Sequence, residues 1–145
     1  MRYCAELAES AGLILGIEAI TGKWWQGTFV TTIPHAYQIV KAVNSPAVKL
    51  IFDTFQVQME TGNIIENIDR VWDKIALFQI ADAPHRTEPN SGEMNHETIL
   101  KYIKSKGYDG LIEIEHYVSQ PVKEGEEKVL EIYDLCFDCY KHSKH

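Results

Sequence analysis

Four short apolar segments recur along the chain, and each is separated from the next by polar residues and a stretch with helical periodicity. Continuous runs of β-branched and aliphatic side chains predict strands of a parallel sheet that is buried on both faces. These runs cover residues 13–19, 48–55, 75–81 and 111–115. Because predicted strands and helices alternate, the pattern indicates an α/β fold with right-handed crossovers.

Apolar residues at helical spacing predict helices over residues 1–11, 32–43, 64–72, 96–106 and 126–140. Gly12 and Gly107 are expected to end two of them, and Thr31 or Thr32 can cap the second helix, which has Pro34 in its first turn. Residues 82–95 form a polar connection of unusual length, which indicates a functional loop. We predict a single domain over residues 1–145 that begins with one helix and continues as four strand–helix units.

Each predicted strand carries, near its carboxyl end, a polar side chain that is able to bind a metal ion. These side chains are Glu18, Asp53, Gln79 and Glu115. Carboxyl ends of parallel strands meet at one edge of a sheet, so we expect the four side chains to converge on one divalent cation. Oxygen ligands favour Mg²⁺ or Mn²⁺, with Zn²⁺ or Co²⁺ as alternatives. Gln79 is equally plausible as a core amide that the backbone satisfies.

Six short motifs occur in order over almost the whole chain, and together they resemble the C-terminal half of a xylose-isomerase-like TIM barrel. Within that family, the chain is most similar to hydroxypyruvate isomerase and the related sugar isomerases and epimerases. The motifs are Gly16-Ile17-Glu18, Phe52-Asp53-Thr54-Phe55, Gln79-Ile80-Ala81-Asp82, Pro84-His85-Arg86-Thr87-Glu88-Pro89, Gly92-Glu93-Met94-Asn95 and Ile114-Glu115.

The resemblance implies a metal-dependent isomerase or epimerase of a small hydroxy-carbonyl compound or sugar. One divalent metal ion would be bound by the four strand-end residues, and Glu18 and Glu115 would transfer protons through an enediolate.

The resemblance also implies a substrate-binding role for Arg86, together with Gln56 and Glu88. Family members commonly carry His where this chain has Gln56, three residues after the strand-end Asp53. A neutral amide can donate a hydrogen bond to a substrate hydroxyl, but it does not titrate.

A complete barrel of this kind has eight units and about 250 residues, and this chain supplies what would be the last four units. Half a barrel exposes two sheet edges and an open inner face. We therefore expect a homo-oligomer, most simply a dimer, that completes or covers the sheet. Two alternatives are a catalytically silent half-barrel that forms a structural homo-oligomer and a metal-dependent phosphodiesterase on the same fold. The scarcity of histidines at strand ends disfavours the phosphodiesterase.

The net charge of −7 and the lack of a basic stripe argue against nucleic acid and anionic membranes as partners. No stretch of the sequence approaches the roughly 20 apolar residues of a membrane span, and the first residues do not have the pattern of a secretory signal. The odd number of cysteines (Cys4, Cys136 and Cys139) predicts reduced thiols in a cytoplasmic protein.

Three groups of residues leave alternatives open. Trp24 and Trp25 could cover the apolar face of a sugar, or sheet left exposed by the absent half-barrel. Lys49 and Glu113 would either tune the metal ligands or form a buried ion pair with each other. Near the C-terminal end, zinc binding competes with simple packing of thiols, which we favour because a continuous helix spreads these residues around its axis: Cys136, Cys139, His142 and His145.

Overall fold

The computed structural model describes residues 1–121 and 123–131, and within these ranges it contains one sheet of four parallel strands in the order β1-β2-β3-β4. The strands are β1 (Leu15–Glu18), β2 (Val48–Asp53), β3 (Ile75–Ile80) and β4 (Leu111–Ile114). Each pairs in parallel with its neighbour in the sequence. The predicted α/β fold with a parallel sheet is therefore confirmed.

Helices precede and connect the strands. They are α1 (Arg2–Ala11), α2 (Ile33–Val43), α3 (Thr54–Glu60), α4 (Ile64–Val71) and α5 (His96–Ser105), with a short 3-10 turn at Trp72–Lys74 before β3. Residues 123–131 are also helical, as the first part of the predicted last helix. The cysteines and histidines of the alternative zinc site lie outside the described residues. Among the described helices, none has both the length and the apolar character required to cross a membrane.

Local signals in the sequence set the helix ends. Gly12 adopts a left-handed conformation (φ 66°) after α1, and the side chain of Thr32 accepts a hydrogen bond from the backbone N–H of His35 at the start of α2. Gly107, also with positive φ, follows α5. These three predicted boundaries are confirmed.

Helix α3 was not expected, because the apolar pattern predicts a strand that continues to residue 55. The strand ends instead at Asp53, whose side chain accepts hydrogen bonds from the backbone N–H groups of Phe55 (2.8 Å) and Gln56 (3.3 Å). An aspartate in this position is a strong helix N-cap. The helix therefore begins directly where the strand stops, and residues 54 and 55 belong to the helix.

The two faces of the sheet differ in character. Val48, Leu50, Phe52 and Phe78 are completely buried in a core that also includes apolar residues of the helices. Successive side chains of a strand point to opposite faces, so Asp53 lies on the face away from Phe52. The register places Asp53 beside Gln79, Gln79 beside Glu113, and Glu18 beside Ile51. The strand-end polar residues thus share the face opposite the helices.

The long connection between β3 and α5 is held by its own hydrogen bonds. The backbone N–H of Asp82 donates to the carbonyl of Thr87 (2.9 Å), and the backbone N–H of Met94 donates to Asp82 Oδ1 (3.0 Å). Arg86, between these contacts, has a left-handed backbone conformation (φ 55°) and a buried side chain. The compact loop therefore presents Arg86 to the sheet.

The close packing of this loop predicts that Gly92→Ala destabilises the protein. A Cβ atom at Gly92 would lie 2.0 Å from the carbonyl oxygen of Ala83 and 2.7 Å from Asp82 Oδ1, and the backbone cannot move away cheaply. We expect a loss of about 1–3 kcal/mol in urea unfolding. Gly22→Ala is the control, because its Cβ would meet only Thr31 Cγ2 at 3.4 Å, and it should remain within about 1 kcal/mol of wild type. Equal stability of the two variants would contradict the packing described.

Candidate active site

The guanidinium of Arg86 lies between two carboxylates from different strand ends. Its Nη2 atom is 3.1 Å from Asp53 Oδ2, at the end of β2, and 3.0 Å from Glu115 Oε1, just after β4. Its Nε–H also donates to the backbone carbonyl of Glu115 (3.3 Å). Arg86 and Asp53 are only 6% and 2% exposed, respectively, which makes their ion pair a buried one. Three segments distant in the sequence therefore converge on this cation.

Both oxygens of Asp53 have partners. Oδ1 caps α3, and Oδ2 contacts Arg86. Burial raises the pKa of Asp53 to about 7; Glu18 raises it further by charge repulsion, whereas Arg86 opposes the increase. Loss of solvation is therefore the main cost of placing a carboxylate here, and the Arg86 guanidinium offsets part of it.

Glu18, at the end of β1, contacts the side chain of Gln56. Gln56 Nε2 donates to Glu18 Oε1 (3.4 Å), while Gln56 Oε1 accepts from the backbone N–H of Thr21 (2.9 Å). Burial raises the pKa of Glu18, and the negative charge of Glu115 raises it further, although Arg86 counteracts both effects. Gln56 therefore fixes Glu18 relative to the loop between β1 and α2.

A cavity of about 300 Å³ opens beside these side chains, a volume suited to a small molecule. The Arg86 guanidinium lies 5.5 Å from the centre of the Trp25 ring and 5.2 Å from that of Phe55, whereas Trp24 packs edge-on against Phe55. Polar and apolar groups share the lining, which consists of Glu18, Ile20, Trp25, Thr28, Gln56, Arg86 and Glu115. Of the two tryptophans, Trp25 lines the cavity.

Gln79 lies beside Asp53 on the neighbouring strand and is not among the residues that line the cavity. Its Nε2 donates to Glu113 Oε2 (2.8 Å), and its buried Oε1 has no hydrogen-bond partner among the described residues. Among the ion pairs of the described residues there is none between Lys49 and Glu113, so that alternative is wrong, and Glu113 contacts Gln79 instead. Glu113 orients the Gln79 amide and leaves the amide oxygen available as a ligand.

Glu88 is not brought to the cavity, contrary to the expectation that it binds substrate. Its side chain is fully buried, and its Oε1 accepts a hydrogen bond from the backbone N–H of Ser119 (2.8 Å). This contact ties the chain after β4 to the loop that carries Arg86. Glu88 therefore holds these two segments together and is not among the residues that line the cavity.

A buried pair, Asp82 and His96, was missed in the sequence. Both are fully buried, and His96 Nδ1 lies 3.5 Å from Asp82 Oδ2 while also accepting from the backbone N–H of Asn90 (3.3 Å). Burial lowers the pKa of His96, although the charge of Asp82 opposes this. The position of His96 on the same helical face as Ile99 and Ile103 was the available signal.

The oxygen-only donor set fits a hard divalent cation. The carboxylates of Asp53 and Glu115 contact the Arg86 guanidinium, and Glu18 lines the same cavity as Arg86. The unpartnered Oε1 of Gln79 belongs to the strand beside Asp53. Among the described residues, no three Asp, Glu, His or Cys side chains are close enough together to hold a metal ion in the present arrangement. The donors are therefore chemically suitable, with the guanidinium between two of them.

Comparison with known proteins gives a matching family model and relatives with similar names. A family model described as a xylose isomerase-like TIM barrel matches residues 1–135. Hydroxypyruvate isomerase from Escherichia coli strain K12 is 30% identical over 116 residues, which are 80% of this chain and 45% of that protein. A putative hydroxypyruvate isomerase from Xenopus laevis is 32% identical over 118 residues, 80% of this chain and 43% of that protein.

Among solved structures, AP endonuclease family 2 from Brucella melitensis superimposes with a TM-score of 0.84 and 26% identity, over 90% of this chain and 50% of that one. The chain spans about half the length of the relatives that it matches. A parallel four-stranded sheet that matches half of such proteins is half of a TIM barrel.

The buried histidine predicts a specific pH dependence of stability. The lowered pKa of His96 means that the unfolded chain binds a proton more readily than the folded protein. The contribution of neutral, buried His96 to the free energy of unfolding is complete above its pKa in the unfolded chain, about 6.5. It is lost as the pH falls from there through the lowered pKa of the folded protein. Between pH 7.5 and 5.5, urea unfolding with a chelator present should show a larger loss for wild type than for His96→Gln, by at most about 1.4 kcal/mol per pH unit.

His85→Gln is the matched control, since His85 is an exposed histidine in the loop that precedes α5. It should follow the wild-type pH dependence. Identical losses for wild type and His96→Gln would rule out His96 as the titrating group.

Proposed function

The chain belongs to the xylose isomerase-like TIM barrel family, and we propose that it carries the active site of a metal-dependent isomerase acting on a small hydroxy-carbonyl compound. The observation that supports this most directly is that Glu18 and Glu115 line one cavity together with Arg86. Relatives named hydroxypyruvate isomerase favour hydroxypyruvate as the substrate. The reaction is the exchange of carbonyl and hydroxyl between neighbouring carbons.

The two glutamates would move the proton. Isomerisation requires a base to remove a proton from carbon and an acid to return one to the adjacent carbon. Because its pKa is raised by burial and by Glu115, Glu18 is the better proton acceptor near neutral pH. Glu115, whose side chain is 48% exposed, lines the same cavity and would be the second proton carrier.

The remaining lining residues would hold and orient the substrate. Arg86 can form charge-assisted hydrogen bonds with a substrate carboxylate. Gln56 has a second amide N–H that can donate to a hydroxyl. The Trp25 ring and Ile20 supply apolar wall that restricts water.

The metal ion would be held by Glu18, Asp53, Gln79 and Glu115. A bound Mg²⁺ or Mn²⁺, or alternatively Zn²⁺ or Co²⁺, supplies Lewis acidity that stabilises negative charge on the substrate oxygens. The free Oε1 of Gln79 and the all-oxygen donor set support this assignment.

A second copy of the chain is the partner we propose for the open sheet. Strands β1 and β4 are the edges of the sheet. Exposed apolar side chains lie at both edges: Leu13 (60% exposed) and Ile14 (57%) before β1, and Leu111 (68%) in β4. A two-fold axis along the barrel axis would pair β4 of each copy with β1 of the other in parallel, which gives eight strands and leaves no edge.

Glu115→Gln tests the activity. The protein with added Mn²⁺ should convert hydroxypyruvate into its hydroxyaldehyde isomer, and activity should elute with the dimer in size-exclusion chromatography with light scattering. The amide of Glu115→Gln cannot carry a proton, so turnover should fall by about 10²–10⁴-fold without a change in elution. Glu93→Gln, at an exposed glutamate hydrogen-bonded to Gln58, is the control and should retain activity.

Each other outcome has a definite meaning. Undiminished turnover by Glu115→Gln would contradict its catalytic assignment. A wild-type dimer that converts neither hydroxypyruvate nor a ketose would favour the silent half-barrel. Hydrolysis of bis(p-nitrophenyl) phosphate would instead favour the phosphodiesterase, the class suggested by the Brucella melitensis structure.

A further inference from the structure

Asp53 has a single oxygen left for any ligand beyond its own helix. Oδ1 accepts the N–H groups of Phe55 (2.8 Å) and Gln56 (3.3 Å), so its lone pairs are committed to the start of α3. Oδ2 contacts Arg86 Nη2 at 3.1 Å. A cation that binds Asp53 without breaking the helix cap must therefore bind the oxygen that Arg86 already holds.

The same nitrogen also contacts Glu115. Nη2 lies 3.0 Å from Glu115 Oε1, so one atom bridges two of the proposed metal ligands. Mg²⁺ binds oxygen at about 2.0–2.1 Å, closer than Nη2 lies to either carboxylate oxygen, so a cation held by both carboxylates would compete with this nitrogen for them. The like charges of the cation and the guanidinium would also repel each other.

We infer that Arg86 and the divalent cation exchange at this position: the guanidinium holds Asp53 and Glu115 while no cation is bound, and it leaves Asp53 when a cation binds. This inference rests on the proposed metal-dependent function. It gives Arg86 a role before substrate arrives, because the guanidinium compensates the charge of a carboxylate that is only 2% exposed.

Other contacts keep Arg86 in place when Nη2 moves. Its Nε–H donates to the backbone carbonyl of Glu115 (3.3 Å), and its guanidinium lies against the rings of Trp25 (5.5 Å) and Phe55 (5.2 Å). None of these contacts involves Asp53. Arg86 already lines the cavity, so the N–H donors released from Asp53 would be available to a substrate bound there. Cation binding would therefore prepare the group that binds an anionic substrate, and the cation would bind first.

Titration of the full chain with Mn²⁺, followed by calorimetry, tests the exchange. Arg86→Gln removes the competing charge, and we expect it to bind Mn²⁺ about tenfold more tightly than wild type, since hydrogen bonds to charged groups are broken only in the wild-type protein. Arg86→Lys retains the charge and should remain closer to wild type. Arg70→Gln removes the same charge from the outer surface, where Arg70 pairs with Glu66, and should leave the affinity unchanged.

Thermal unfolding supplies a second readout. Without Arg86, the buried Asp53 lacks a counter-ion, so the metal-free Arg86→Gln protein should melt at a lower temperature than wild type. Saturating Mn²⁺ should then raise its melting temperature by more than it raises that of wild type, because the cation replaces the missing charge.

The outcomes separate the exchange from the function on which it rests. Tighter Mn²⁺ binding by Arg86→Gln, with Arg70→Gln unchanged, supports the exchange. Equal or weaker binding by Arg86→Gln overturns the exchange but leaves the metal site of the wild-type protein intact. Failure of Arg86→Gln to fold even with Mn²⁺ also overturns it. The absence of Mn²⁺ binding by wild type and by Arg86→Gln overturns both the exchange and the metal-dependent function.

Discussion

The buried ion pair between Arg86 and Asp53, extended to Glu115, is the interaction on which the site depends. It joins the end of β2, the loop after β3 and the residue after β4 around one guanidinium. Removing one partner of such a pair leaves an uncompensated buried charge, which is far more costly than the pair itself is stabilising. The conformation of the β3–α5 loop and the positions of the two carboxylates are therefore set together.

This arrangement links fold and chemistry. Parallel strands place their carboxyl ends along one rim, and alternation along each strand sends apolar side chains to the helices and polar ones to the opposite face. The rim then gathers the carboxylates of Glu18, Asp53 and Glu115, and burial of Asp53 raises its pKa to about 7. A cation is needed to compensate these charges, and the chain supplies its own in Arg86.

The strands and most helices could be predicted because their signals are local: apolar runs, Thr32 as a cap, and Gly12 as a stop. The family resemblance read from the six motifs is confirmed by the match over residues 1–135. Helix α3 escaped prediction because the apolar run continues past Asp53, and only its cap ends the strand. The contacts of Glu88 with Ser119 and of Gln79 with Glu113 join residues about thirty positions apart, which spacing alone does not reveal.

Anomalous scattering from crystals grown with Mn²⁺ tests the central claim, that these strand ends share one cation position, most directly. We predict a manganese peak within bonding distance of Asp53 Oδ2 and of carboxylate oxygens of Glu18 and Glu115, with Arg86 Nη2 no longer in contact with Asp53. A fully occupied manganese site elsewhere, or a crystal saturated with Mn²⁺ in which the Arg86–Asp53 contact is intact and no peak is present beside it, would contradict the claim.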